Sequence, residues 1–443
     1  MVWARRGVAV AATDGGAGRY RQAGVRTAIV GACGLLGLGG SGAEATEVRT
    51  AILGYTEPDR VSAFEAIIDG NHQFSDGKIV NFRLVYDALT GASASGATPA
   101  SYAQTFTRPS GEGSYVTAPG ETPLDDTFRD TRVAVSGGLN LPLGRLSRLG
   151  FGLYGSGEHD YTSLGANFNL TRDLNQKNTT LALRGAFFHD SISPEGGRPV
   201  PLSPMRPAYT PKARLAGDGT KGVMDLGLGL TQVLDRKTVL HLNYTFSHVT
   251  DYQSDPYKIL TVVDASGDPR GGTDPMGADA FLFESRPDAR TKHVLFGRVA
   301  RHLGEDVVQF SYRYFTDDWG IASHTLDLTY RWELGGGKYL KPHVRYYDQA
   351  GADFYRRYLV DGEALPEHAS ADYRLGDMHA LTYGLTYGRP VGVGQELTVR
   401  LEYYAQMGES HPADAIGVLK DYDLFPTVDA FIVQVGYSFG LLE

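Results

Sequence analysis

The chain holds one cysteine in 443 residues, Cys33. A disulfide framework and a cysteine-based zinc site are thereby excluded. Charge is also thin, at 21% of residues, and it is not basic: 42 Lys and Arg stand against 51 Asp and Glu, a net charge of −9. A nucleic-acid binder needs a basic patch, so that class is set aside. Catalytic signatures are missing too. There is no G-x-S-x-G and no H-E-x-x-H, and chain order nominates no nucleophile with its base, so the expectation is no enzyme and no cofactor. Past residue 45 no apolar stretch approaches the ~18–20 residues of a membrane-spanning helix. Hydrophobic residues at 42% nevertheless exclude a disordered chain.

Glycine, tyrosine and phenylalanine are abundant, at 56, 26 and 19. The first 45 residues stand apart. Arg5, Arg6, Arg19, Arg21 and Arg26 precede an apolar run from Thr27 to Gly40, and Ala43-Glu44-Ala45 follows as an A-x-A cleavage site. That order is a secretory signal peptide over residues 1–45, leaving 46–443 as one domain. Cleavage after Ala45 removes Cys33, five arginines and two acids, which takes the net charge from −9 to −12. An exported chain of this composition with no spanning helix is either periplasmic or an outer-membrane β-barrel.

Periodicity decides between them. In Thr238–Ser247, Leu240, Leu242, Tyr244 and Phe246 alternate with His241, Asn243, Thr245 and Ser247. The same period of two returns in Leu326, Leu328, Tyr330, Trp332 and Leu334 against Thr325, Asp327, Thr329, Arg331 and Glu333. It returns again with Leu397, Val399, Leu401 and Tyr403 against Thr398, Arg400, Glu402 and Tyr404, and in the final strand through Phe431, Val433, Val435 and Tyr437. One face suits lipid and the other a wet interior. A soluble sandwich also alternates. Its strands are shorter, however, and its second face does not carry charges of both signs on successive strands.

Connections alternate in length. Short ones fall at Phe74–Lys78, Pro142–Ser147, Leu174–Lys177, Asp235-Arg236, Gly304-Glu305, Gly335–Gly337 and Arg389–Gly394. Long polar ones fall near 93–125, 191–218, 251–290, 353–371 and 409–427, with brief outer links at Pro58-Asp59 and near Asp317–Gly320. Outer-membrane barrels have short periplasmic turns and long extracellular loops. The expected fold is therefore all-β, a transmembrane antiparallel outer-membrane β-barrel of about 16 strands with both termini periplasmic.

Several segments also resemble a known bacterial family, domain of unknown function 3570. They include Tyr86–Ser93, Gln104–Gly111, Glu121–Arg132, Asp255–Leu260, Arg286–Asp288, Ser311–Phe315, Asp318–Gly320, Ala352–Arg356 and Ser370–Arg374. The resemblance covers essentially the whole mature chain and implies an exported outer-membrane barrel of unestablished activity. It also implies a genomic setting shared with small lipoproteins, thioredoxin-like proteins and flavin-transferring enzymes, hence a possible periplasmic lipoprotein or redox partner. One departure stands out. Gly440-Leu441-Leu442-Glu443 follow Phe439, where such barrels usually end on the aromatic residue read by the assembly machinery.

The candidate functional residues are charges that the alternation turns inward: Arg313, Asp327, Arg331, Glu333, Lys341, His343, Arg345, Arg400 and Glu402. An Arg or Lys on the lipid face costs about 2–4 kcal/mol at the midplane, so the interior is their place. There they form either an anion-attracting constriction or a ladder of mutually paired charges that stiffens the wall. The loop at 93–125 either folds into the mouth or is a solvated surface loop. Asp125, Asp126 and Asp130 are close enough in sequence to suggest Ca²⁺, but they lack EF-hand spacing, and no metal is expected. Trp319, Trp332, Tyr330, Tyr346 and Tyr347 suit the interfacial girdles. The expected function is a pore or conduit for small polar or charged solutes, in contact with outer-membrane lipid. The alternative is an occluded or partner-filled scaffold barrel serving an extracytoplasmic redox, thiol or lipoprotein-linked system.

Overall fold

The computed structural model describes residues 45–442, except 59, 108–112, 207–212 and 275–278 and the side chains of 126–128 and 441–442. The signal-peptide reading lies outside the described residues. Sixteen strands close into one antiparallel barrel, each hydrogen-bonded to its neighbours in sequence and the last to the first. They are β1 (Ala45–Thr56), β2 (Val61–Gln73), β3 (Ile79–Ala94), β4 (Leu124–Leu143), β5 (Ser147–Gly157), β6 (Tyr161–Leu174), β7 (Thr179–Ile192) and β8 (Gly219–Asp235). The second half comprises β9 (Thr238–Asp251), β10 (Arg290–Leu303), β11 (Asp306–Asp317), β12 (Ala322–Gly335), β13 (Lys338–Gln349), β14 (Met378–Gly392), β15 (Gln395–Gly408) and β16 (Val428–Leu442). Seven short turns lie at one end, where both termini of the barrel also sit. Eight connections lie at the other, three of them brief: 57–60, 158–160 and 318–321. The link at 158–160 is one that the sequence pattern alone did not separate out. Strand β16 runs on to Leu442, past Phe439.

The alternation follows the two solvents. Outward positions are exposed and apolar, as with Leu226 and Leu228, Leu326 and Leu328, Leu401, Phe431, Val433 and Val435. Inward positions hold Asp225, Ser247, Thr325, Thr329, Arg400 and Glu402, all buried. Inward glycines explain part of the glycine excess, because larger side chains of the adjacent strand lie flat over them. A Cβ on Gly150 would stand 2.4 Å from Asn140 Oδ1, and one on Gly165 would meet the Phe188 ring at 2.3 Å. Real packing tolerates neither approach.

At the wide-loop end, the outer loops fold together as a cap. Loop 252–289 supplies Ile259–Val263 and Phe281–Phe283, which pair with each other, and Ile259–Val263 also pairs in parallel with Leu359-Val360 of loop 350–377. Loop 95–123 adds the hairpin Gln104–Thr107 with Ser114–Thr117. Fully buried Phe106 from this hairpin packs on Phe281 (ring centroids 4.9 Å apart), Met205 and Ile259. A second core joins Leu202, Leu260, Leu282 and Leu359; a third joins Val263, Ala415, Leu419 and Tyr358. Gly417, at φ +50, lets loop 409–427 press against Ser266, whose carbonyl would lie 1.7 Å from any Cβ there. The loops after β3 and β9 leave the rim six strands apart in a ring of sixteen, so their common core must lie across the mouth. The described part of the segment at 93–125 is thus not a solvated surface loop but folds over the mouth. It is a wall of the cap.

Candidate functional site

The inner wall of β11–β15 carries the charged residues singled out from sequence. Cross-strand register sorts them into rows. One row runs Asp327, Arg345, Thr382 and Tyr404; the next runs Thr329, His343, Gly384 and Glu402. His343 bridges them, with Nε2 2.8 Å from Asp327 Oδ2 and Nδ1 2.9 Å from Glu402 Oε1. Arg400 donates to Gln434 and stands 3.9 Å from Glu402. Arg331 pairs with Glu333, and its guanidinium lies 3.5 Å from the Tyr339 ring centroid. On β11, Arg313 lies over the ring of Phe315, two residues on in the same strand, at 5.5 Å. Lys341, Arg345, Arg313, Arg400, His343 and Glu402 are all buried, while Arg331 keeps about a third of its side chain accessible.

The opposite wall holds inward ion pairs as well: Arg83 with Asp69 at 3.5 Å, and Arg132 with Asp87. Lys221 and Asp190 lie 3.3 Å apart near the outer rim, beside Tyr161. Three carboxylates, Asp130, Glu158 and Asp160, bring ligand atoms within 4.8 Å of one another. Of these, Asp160 also accepts from Tyr257 Oη at 2.5 Å, which ties the brief link 158–160 to the cap. Of the acids grouped by the sequence, Asp130 enters this cluster, and its partners there are Glu158 and Asp160 from the link after β5. Asp125 is buried beside the cap, and the side chain of Asp126 lies outside the described residues.

The densest electrostatic arrangement lies inside the cap. Arg286 Nε sits 2.6 Å from Glu284 Oε1, and its Nη2 sits 2.9 Å from Asp372 Oδ2, with all three side chains at most 1% exposed. Arg374 donates to Asp372 at 2.7 Å and reaches Asp255 at 3.5 Å. Ser370 donates to Glu284, and Lys258 donates to the Ala94 carbonyl at the end of β3. Burial alone would raise the Asp372 carboxyl. Arg374, Lys258 and Arg286 instead hold it well below the usual carboxylate range. Burial pushes the Lys258 ammonium down. The network clamps loop 252–289 to loop 350–377 and seats both on the barrel rim. Gln349, at the end of β13, completes the seat by donating to the Arg374 and Gly376 carbonyls at 3.0 and 2.9 Å.

Two girdle assignments need correction. Trp319 is 2% exposed, not at the lipid interface; it packs on Phe354 and under the Arg290 guanidinium, and Nε1 donates to Ala289. Tyr347 points inward and donates to Gln349. Trp332 and Tyr346 do face outward. Sequence reasoning did not find the Glu284, Arg286, Asp372 and Arg374 network. The only local sign was charge in loops that are otherwise polar, and its partners lie 86 residues apart.

Comparison with solved structures finds several matches that cover most of the chain at low identity. The chain is similar to the outer membrane protein opdK from Pseudomonas aeruginosa, at 10% identity and TM-score 0.39, covering 91% of this chain and 100% of that one. It is similar to OccK2 (OpdF) of the same organism, solved in complex with glucuronate, at 11% and 0.39, covering 90% and 96%. OccAB1 of Acinetobacter baumannii gives 10% and 0.38, covering 90% and 96%. No curated protein matches the sequence. Several segments that carry the family resemblance, among them Asp255–Leu260, Arg286–Asp288 and Ser370–Arg374, meet in the cap described above. Residues 29–439 match the family described as "Protein of unknown function (DUF3570)", and the chain belongs to that family.

Proposed function

We propose that this protein is an outer-membrane conduit for small polar or charged solutes, with inner-wall charges setting the preference and the loop cap covering its outer mouth. The observation that carries the reading is a closed sixteen-stranded barrel whose outer face is apolar and whose inner face is charged. Barrels of 16–18 strands are wide enough to leave an aqueous channel, whereas about eight fill with side chains. The apolar outer face gives lipid contact, and export by a signal peptide cleaved near Ala45 delivers the chain to that membrane.

The test is single-channel recording in a planar bilayer with a salt gradient. Small, steady steps with an ion preference support the conduit. Arg331→Ala and Arg345→Ala then shift the reversal potential, and unchanged selectivity in both removes these residues from the path.

A second reading has an observation of its own. The cap has its own hydrophobic cores and a sealed ion network, which favours an occluded barrel that works as a scaffold for a periplasmic lipoprotein or redox partner. A folded protein that stays electrically silent selects this reading. The next measurement is then which periplasmic protein co-purifies with it.

A further inference from the structure

We infer that the inner wall between β12 and β15 holds a seat for a small oxyanion, carboxylate or phosphate, with the Lys341 ammonium at its centre. This rests on the conduit reading only insofar as a solute reaches the inner wall.

Register puts three cations in one row. Lys341 faces Thr386, and Thr386 faces Arg400. On the other side the ladder runs from Thr329 opposite His343 to Trp332 opposite Leu340, so Arg331 falls opposite Lys341. The intervening ladder bonds are missing where Pro342 has no N–H to give. Like charges directly opposite each other repel, and a buried ammonium without an acceptor is costly.

Lys341 is 8% exposed, and among the described residues its Nζ has neither a hydrogen-bond acceptor nor a carboxylate within 4 Å. Nor is the Nζ sealed off, unlike the guanidinium Nε of Arg400, so it still opens onto the interior. The nearest acids are already engaged: Glu402 and Asp327 by His343, and Glu333 by Arg331. The ammonium at the centre of the row, flanked by two guanidinium groups that have partners of their own and by a threonine hydroxyl, is the group that calls for an acceptor with several oxygens. A carboxylate or phosphate supplies that, and Arg and Lys side chains bind both through charge-assisted hydrogen bonds.

The row also lies low in the barrel. Lys341 is three residues from the start of β13, and Arg331 is four from the end of β12, so the seat is about 10 Å along the strand from the short-turn end. A solute reaches it from the periplasmic side without passing the cap.

The experiment is calorimetric titration of the full-length folded protein in detergent with two probes, inorganic phosphate and succinate. Lys341→Met and Lys341→Arg are run beside the unaltered protein. Saturable binding of one probe, weakened at least tenfold in Lys341→Met and largely kept in Lys341→Arg, supports the seat, and the probe that binds more tightly identifies the oxyanion. Arg400→Gln provides a second variant if Lys341→Met does not fold, as judged by heat-modifiable migration in gels, and it should weaken binding likewise. No saturable heat with either probe, or equal binding by folded Lys341→Met, overturns the proposal. The titration needs no bilayer, so the two readings fail separately. A silent bilayer with intact binding sinks only the conduit, and an open pore without binding sinks only the seat.

Discussion

Replacing Arg286 by Met should unlock the cap and leave the barrel standing. Arg286 is the cation between Glu284 and Asp372, and the three side chains are at most 1% exposed. Breaking a buried pair by removing one partner costs about 3–5 kcal/mol, because the remaining charge is left buried without compensation. Here two carboxylates lose a partner. Arg374 still holds Asp372, and Ser370 still donates to Glu284, so the lower part of that range applies. A loss of about 3 kcal/mol raises the population of the opened cap by about 10²-fold, since each 1.36 kcal/mol is a factor of ten. The sixteen-stranded ladder does not depend on these groups, and its backbone hydrogen bonds close on themselves. Amide hydrogen exchange separates the two parts. In Arg286→Met, protection should fall about 10²-fold across Ile259–Val263 and Phe281–Phe283 and stay unchanged in β5 and β6. The triple variant Glu284→Gln, Arg286→Met, Asp372→Asn removes the stranded charges and should recover much of the loss. Unchanged protection of 259–263 in the single variant would refute the assignment of the network as the latch, and equal loss in cap and barrel would refute their independence.

Further outcomes follow from the same structure. Phe106→Ala empties the first cap core and should cost about 3–5 kcal/mol of cap stability, read as protease sensitivity of the outer loops with normal gel migration of the barrel. Gly165→Ala drives a methyl into the Phe188 ring and should cost about 1–3 kcal/mol, this time in the wall, read as a lower urea midpoint for barrel unfolding. Acid should open the cap. The Asp372 carboxyl is held below its unfolded value of about 3.9, so its contribution is complete above that pH and is lost as pH falls through the lower folded value. Exchange protection of 259–263 should therefore be flat from pH 7 to about 5 and collapse below about 4; a collapse already at pH 6 would point to a histidine instead.

The wall was legible because two solvents impose opposite demands on alternate residues. Leu326 and Leu328 meet lipid while Asp327 and Thr329 meet the interior, and a strand long enough to span repeats that contrast several times. Loop length alternation then gave topology, since a turn as short as Gly304-Glu305 permits only a hairpin. The cap was not legible for the converse reason. Its core takes Phe106, Met205, Ile259 and Phe281 from three loops, as isolated apolar residues or runs of three to five with no period to announce a partner. Asp318-Trp319-Gly320 reads locally as a rim aromatic at a turn, and only the approach of Phe354 and Arg290 from other segments makes Trp319 a buried anchor. Charges at the inner wall were placed by alternation, but their partners were not. Whether Lys341 stands beside an acid or between two arginines depends on register across four strands, which no single strand encodes.

The two ends of the molecule are therefore built on different physics, and this bears on how a solute would pass. At the short-turn end the wall is fixed by its ladder, and the row through Lys341 is as rigid as the strands that carry it. At the outer end a short three-stranded sheet, side-chain packing and a few buried ions hold five loops across the mouth, without a closed ladder. Rigid wall and openable cover are separable in free energy. A weakened latch can raise passage through the mouth without altering what the wall prefers, while a changed wall charge alters preference without altering opening. Arg286→Met should accordingly raise the frequency of open steps at constant reversal potential, and Arg345→Ala should move the reversal potential at constant frequency. If both variants change both quantities together, the cap and the wall form one coupled gate, and the loops must reach far enough down to touch the charged rows in the conducting state.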